Sequence, residues 1–126
     1  MGGYECLDDL PVAIFIHDDT QVRYANGEAL RMLGATSIAE LAACSVWELL
    51  HRDIRAVAQE RARLVIEHRM SLRDMPVKFR ALDGDTVYAS CDASSLETDG
   101  EVLVVVVGCT VSRTPGDNHG ADDMTS

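Results

Sequence analysis

Four cysteines, four histidines and 21 carboxylates are the side chains of this 126-residue chain with the most obvious chemical potential. Cys6, Cys44, Cys91 and Cys109 never form a Cys-x-x-Cys pair, and His17, His51, His68 and His119 do not stand at zinc-finger spacing from a cysteine pair. The thiols read as small apolar side chains in a reducing compartment, with Cys91 and Cys109 inside strand-like runs. No Ser-His-Asp or Cys-His spacing stands out for nucleophilic catalysis, although such groups can be distant in sequence. The carboxylates gather at Asp8-Asp9, Asp18-Asp19, Asp83-Asp85 and Asp99-Glu101, where turn propensity and solubility explain them. An inward histidine on a long helix would suit a haem iron. His68 falls on such an apolar face, but in the last turn, where a histidine commonly meets the helix dipole. Trp47, Tyr24 and Phe79 can supply aromatic walls for a planar ligand.

The elements that must position these residues follow from periodicity and punctuation. Val12 to Ile16 is an apolar strand, Asp18-Asp19-Thr20 a turn, and Gln21 to Ala25 its hairpin partner with Val22 and Tyr24 on one face. Asn26 caps a short helix, Glu28 to Leu33, that Gly34 stops. Two capping boxes, Ser37-x-x-Glu40 and Ser45-x-x-Glu48, open short helices ending at Ala42 and His51. Asp53 then caps a long helix, Ile54 to Met70, whose apolar face is Ile54, Val57, Ala58, Ala62, Val65 and His68. Two Asp-Gly pairs, Asp83-Gly84 and Asp99-Gly100, divide the last third into a meander of Met75 to Leu82, Thr86 to Leu96 and Val102 to Val111. In it Val77, Phe79 and Ala81 share a buried face, as do Val87, Ala89, Cys91 and Ala93. Val102 to Val107 is apolar on both faces, which places that strand centrally.

The length allows one domain with one core, expected over residues 1–113, with a solvated tail over 114–126. A net charge of −10 with no basic stripe disfavours nucleic acid and anionic lipid. The apolar run Val102 to Val107 is far too short to span a bilayer, and the N-terminus lacks the pattern of a secretory signal, so a cytoplasmic location is expected.

In order, "LPVAIFIHDD", "VRYANGEALRMLGA", "SIAEL", "SVWELLHRDIR", "KFRALDGDTVYASC" and "TVS" resemble the pieces of a PAS domain over about Leu7 to Ser112. The resemblance implies an α+β fold: a five-stranded antiparallel sheet in the order 2-1-5-4-3, with helices covering one face and enclosing a pocket. It also implies a sensory module that takes a small ligand, cofactor or partner and signals to a histidine kinase or another output domain. This chain departs from the family in having Thr20 where glycine is usual in the turn, Ala43 where glycine is usual before the middle helix, and Thr110-Val111-Ser112 without the usual terminal aspartate.

Aligned on that family, Val46 occupies the position of a flavin-reactive cysteine, and Arg55 stands in the region where haem-binding relatives carry their histidine. Haem and flavin are therefore not expected, and a small apolar or aromatic ligand is. Its pocket is expected among Ile14, Ile16, Trp47, Leu50, Val65, Phe79, Ala89 and Val104, each on the apolar side of its element. Leu103, Val105 and Val107 are expected on the outer sheet face, where a homodimer contact or a cap from Tyr4, Leu7 and Leu10 would cover them. Two alternatives stand beside this reading: a PAS fold with a filled core serving only dimerisation or docking, and a small cone-shaped α+β enzyme of the ketosteroid-isomerase kind.

Overall fold

The computed structural model describes residues 10–116. Strands β1 (Ala13–His17) and β2 (Val22–Ala25) come first, followed by helices α1 (Gly27–Leu33), α2 (Ile38–Ala42) and α3 (Arg55–His68). Two 3-10 turns, Val46–Leu49 and Arg52–Ile54, separate α2 from α3. Strands β3 (Leu72–Arg80), β4 (Thr86–Thr98) and β5 (Glu101–Thr114) complete one antiparallel sheet in the order β2-β1-β5-β4-β3. The expected fold class and strand order are thus observed. β5 ends one residue past the expected domain limit, and most of the expected tail lies outside the described residues.

Local chemistry explains the element ends. The Asn26 side chain accepts from the amides of Ala29 and Ile14, each at 2.9 Å, and donates to Val12 O, so one buried residue caps α1 and ties it to β1. Gly34 adopts φ 69° at the C-cap, where an added Cβ would lie 2.8 Å from the Asp83 carboxyl carbon. Ser37 caps α2 by accepting from the Glu40 amide, but Glu40 reaches back to the Thr36 amide rather than to Ser37. Ser45 accepts from Trp47 N, one residue earlier than a capping box requires, and the segment it opens is a 3-10 turn ending at Leu49.

α3 departs most from expectation. A 3-10 turn at Arg52–Ile54 takes up Ile54, His51 Nδ1 caps that turn by accepting from the Asp53 amide at 3.2 Å, and α3 itself starts after Ile54 with no side-chain cap from Asp53. Ala62 and Val65 are buried, whereas Val57 is half exposed and His68 is exposed, so the inward stripe is narrower than the sequence suggests.

The two Asp-Gly pairs make different turns. Asp99 and Gly100 both have positive φ (49° and 78°), and Thr98 faces Glu101, as a two-residue type I′ hairpin requires. At the other pair only Gly84 has positive φ, because β3 and β4 are joined by the longer loop 81–85, closed by Gly84 N to Ala81 O at 2.9 Å. β3 starts three residues before its expected onset because an irregularity between Leu72 and Met75 lets Leu72 pair with Ala93. There the Asp74 amide donates to Asp92 Oδ1 at 2.9 Å. Pro76 is tolerated because β3 is an edge strand.

Pairing sets which side chains face the helices. Phe15 lies opposite Val106, and Val106 opposite Ala93, on the inner face. Ile16 lies opposite Val105 and packs with Tyr24 and Leu103 on the outer face. A bulge between Ile16 and His17 shifts the β2 register, so Val22 joins the inner core and Tyr24 the outer cluster, not one shared face. Leu103, Val105 and Val107 do lie on the outer face, but Leu103 is buried and the two valines are half-buried. That face therefore offers less bare apolar surface than expected. Of the suggested cap, Tyr4 and Leu7 lie outside the described residues, and Leu10 is exposed.

Candidate functional site

A cavity of about 70 Å³ lies between α3 and the inner sheet face. Small side chains create it: Ala58 and Ala62 on α3 face Cys91 and Ala93 on β4, where larger residues would close the gap. Trp47, Leu50, Val65, Phe79 and Val104, all expected here from sequence, line it together.

Three expected residues do not. Ile14 and Ile16 belong to the outer face, because inward positions on β1 alternate through Ala13, Phe15 and His17. Ala89 is buried in the same core but lies two residues along β4 from Cys91, beyond the cavity. It lines instead a second, more open groove with Ile54, Val57 and Arg61 on the helix side and Val77 on β3.

The wall includes residues that sequence reasoning missed, above all Phe15 and His17. Phe15 meets Phe79 edge-on at 6.0 Å between ring centroids. His17 reads from sequence as the residue before a turn, yet it is only 5% exposed. Its ring stands edge-on to Trp47 at 5.7 Å, and its Nδ1 accepts from the Asp19 amide at 3.0 Å. Burial pushes its pKa down to about 4 against the pull of Asp18, so the ring is neutral at physiological pH. A histidine ending an apolar strand just before an acidic turn was the available signal. The all-apolar neighbours of Phe15 masked the alternation that would have turned it inward.

The β1–β2 turn holds this end of the cavity. Asp18 Oδ1 accepts from Thr20 N, Thr20 Oγ1 and Gln21 N, while Oδ2 pairs with Arg23 at 2.9 Å. Burial alone would raise the Asp18 pKa, but these donors outweigh it and hold the carboxyl well below the usual carboxylate range. The left-handed residue of the turn is Asp19, at φ 79°, so Thr20 needs no glycine-like freedom. Trp47 Nε1 donates to Asp19 O at 2.9 Å and Val46 N to Thr20 O at 2.7 Å, which ties the 3-10 turn to the hairpin.

The remaining candidates for chemistry are dispersed. Val46, at the aligned flavin-reactive position, is buried in the cavity wall, and Cys44 lies outside it. Arg55 Nε donates to Leu50 O at 3.1 Å. Burial pushes the Cys91 thiol up to about 12, which keeps it protonated. Among the described residues, no three His, Cys, Asp or Glu side chains converge as a metal site, and no helix is long and apolar enough to cross a membrane. Among the described residues Arg61 is the one arginine or lysine in the wall, and its Nη1 donates to Pro76 O at 3.3 Å.

Comparison with solved structures finds the same fold at low identity. A PAS domain from a two-component sensor histidine kinase is 16% identical with a TM-score of 0.67, covering 85% of this chain and 91% of that one. The Drosophila melanogaster Cycle PAS-B domain with bound ethylene glycol is 15% identical with a TM-score of 0.67, covering 78% and 98%. The PAS domain of nitrogen regulation protein NR(II) from Vibrio parahaemolyticus is 20% identical with a TM-score of 0.64, covering 83% and 94%. No curated protein matches in sequence. The strand order and these likenesses set aside the cone-shaped enzyme fold. The family model described as the PAS fold matches residues 4–119, and the chain belongs to the PAS family of signalling and sensory domains.

Proposed function

We propose that this PAS domain senses a small, mainly apolar ligand held between α3 and the inner sheet face, and relays its occupancy through β5. The carrying observation is the cavity itself: aliphatic and aromatic walls with one buried polar side chain, His17, at one end. The relay has a direct route. Val104 and Val106 face the cavity, while Leu103, Val105 and Val107 alternate with them on the outer face of the same central strand. A ligand that displaces the inner residues moves the outer ones with them. The recipient is a signalling partner or output domain of the histidine-kinase kind, in keeping with the kinase-derived PAS domain of the same fold. Partner docking, including homodimer formation, uses the half-buried Val105 and Val107.

At about 70 Å³ the cavity is small, which favours a second reading: a nearly filled PAS core acting in docking alone. Native mass spectrometry of purified wild type and Ala62→Leu separates the two. The sensory reading predicts a retained or exchangeable small molecule on wild type that the cavity-filling variant loses while remaining folded. Identical spectra, with no added small molecule bound by either, would leave the docking reading alone.

A further inference from the structure

Among the described residues, His17 is the deeply buried polar side chain of the cavity wall, and one of its two nitrogens has no hydrogen-bond partner there. His17 is 5% exposed, and Nδ1 is committed as an acceptor to the Asp19 amide. A neutral imidazole carries one proton, so the proton sits on Nε2, which is therefore a donor. Among the described residues no acceptor is paired with Nε2. The Phe15 and Trp47 rings flank the imidazole, and neither side chain carries an acceptor oxygen. A buried donor left unpaired costs stability, and such groups concentrate where a missing partner binds.

We propose that His17 Nε2–H is the hydrogen-bond donor for the cavity's ligand, and that the ligand is small, neutral and apolar apart from one acceptor atom, a carbonyl oxygen or a ring nitrogen. This assignment rests on the ligand-binding reading above. The aliphatic walls and aromatic rings supply contact area, and the imidazole supplies orientation. A neutral acceptor matches a neutral donor. An anion would have to shed its water among apolar walls, with only Arg61 to compensate it. Among the described residues, no carboxylate is hydrogen-bonded to the His17 ring, and the Cys91 thiol in the same wall is held protonated by burial. The neighbours of His17 position it to bind, not to transfer a proton.

The test uses two isosteric probes, benzene and pyridine, with benzoate as the anionic control. Dissociation constants are measured by NMR at pH 7.5, where pyridine is neutral, on the full chain and on His17→Phe. The ratio of benzene to pyridine dissociation constants should fall about fivefold in His17→Phe, the size expected for one buried hydrogen bond. In wild type, the ¹⁵N resonance of His17 Nε2 should move with pyridine and not with benzene. An unchanged ratio with both probes bound would overturn the assignment and leave the cavity reading intact. If neither probe bound wild type, both would fall. Benzoate binding more tightly than pyridine would transfer the polar role to Arg61 and overturn the neutral-ligand class. Should His17→Phe not fold, the wild-type ¹⁵N measurement decides alone: an unmoved Nε2 resonance at saturating pyridine overturns the assignment.

Discussion

The imidazole of His17 stands edge-on to the indole of Trp47 at 5.7 Å, and both rings are anchored on the same residue, Asp19. His17 accepts the Asp19 amide and Trp47 donates to the Asp19 carbonyl. One turn residue thus fixes a strand end and a 3-10 turn at one end of the cavity. The pair also makes the domain sensitive to acid.

His17 has a folded-state pKa near 4, depressed by burial, against 6.5 for the free side chain. Above pH 6.5 both folded and unfolded chains hold it neutral, and it costs nothing. As pH falls from 6.5 toward 4, the unfolded chain takes up a proton that the folded chain refuses, so about 3 kcal/mol of stability is lost across that window. His51, also lowered by burial and by Lys78, adds a loss of the same sign. Below pH 3.8 Asp18, held low by its hydrogen bonds, adds a further loss as it protonates. Urea midpoints between pH 7.5 and 4 should fall in wild type and fall less in His17→Phe. Parallel slopes in the two proteins would contradict a buried neutral His17.

Phe79 is 2% exposed and packs edge-on against Phe15 at 6.0 Å. Phe79→Ala should cost about 3–5 kcal/mol in denaturant unfolding, the usual range for truncating a core phenylalanine. A cost below about 1 kcal/mol would be incompatible with this wall of the cavity.

Gly108 lies opposite Cys91 across β4 and β5, and a Cβ there would sit 2.8 Å from the Cys91 Sγ. The thiol is fully buried and has little room to turn away. Gly108→Ala should therefore destabilise by about 1–3 kcal/mol, as overpacking does. Adding Cys91→Ala should recover most of that loss. Additive costs in the double variant would place the clash elsewhere.

Val105 and Val107 are half-buried on the outer face beside buried Leu103. If they carry self-association, sedimentation should find wild type dimeric and Val105→Lys monomeric, with an unchanged circular dichroism spectrum. Wild type that sediments as a monomer at high micromolar concentration removes this face as a dimer contact.

Turn and cap residues were the most legible part of the fold. Asn26, Gly34 and Asp99-Gly100 act through local backbone geometry that residue type dictates. The central place of β5 was readable because Val102 to Val107 is apolar on both faces. The same property hid the orientation of β1: in Ala13-Ile14-Phe15-Ile16 every residue is apolar, and only the pairing of Phe15 with Val106 decides which side faces the helices. Val65 and Phe79 were legible because each sits on an element whose polar residues mark the other side, whereas Val104, in a run apolar on both faces, carried no such mark. His17 was not legible, because its burial depends on Trp47, 30 positions away, closing over it. On α3 the 3-10 turn at Arg52–Ile54 takes up only Ile54 of the expected helix, while Val57 and His68 lie within α3 and are exposed, so periodicity alone did not show which part of the stripe the sheet covers.

The account turns on whether the space between α3 and the sheet accepts a ligand. Intermolecular NOEs between a bound probe, benzene or pyridine, and the methyl groups of isotope-labelled wild type test this directly. The predicted result is a set of NOEs to Leu50, Val65 and Val104, with none to Ile14 or Ile16 on the opposite face. NOEs confined to the outer face, or none at probe saturation, would contradict it.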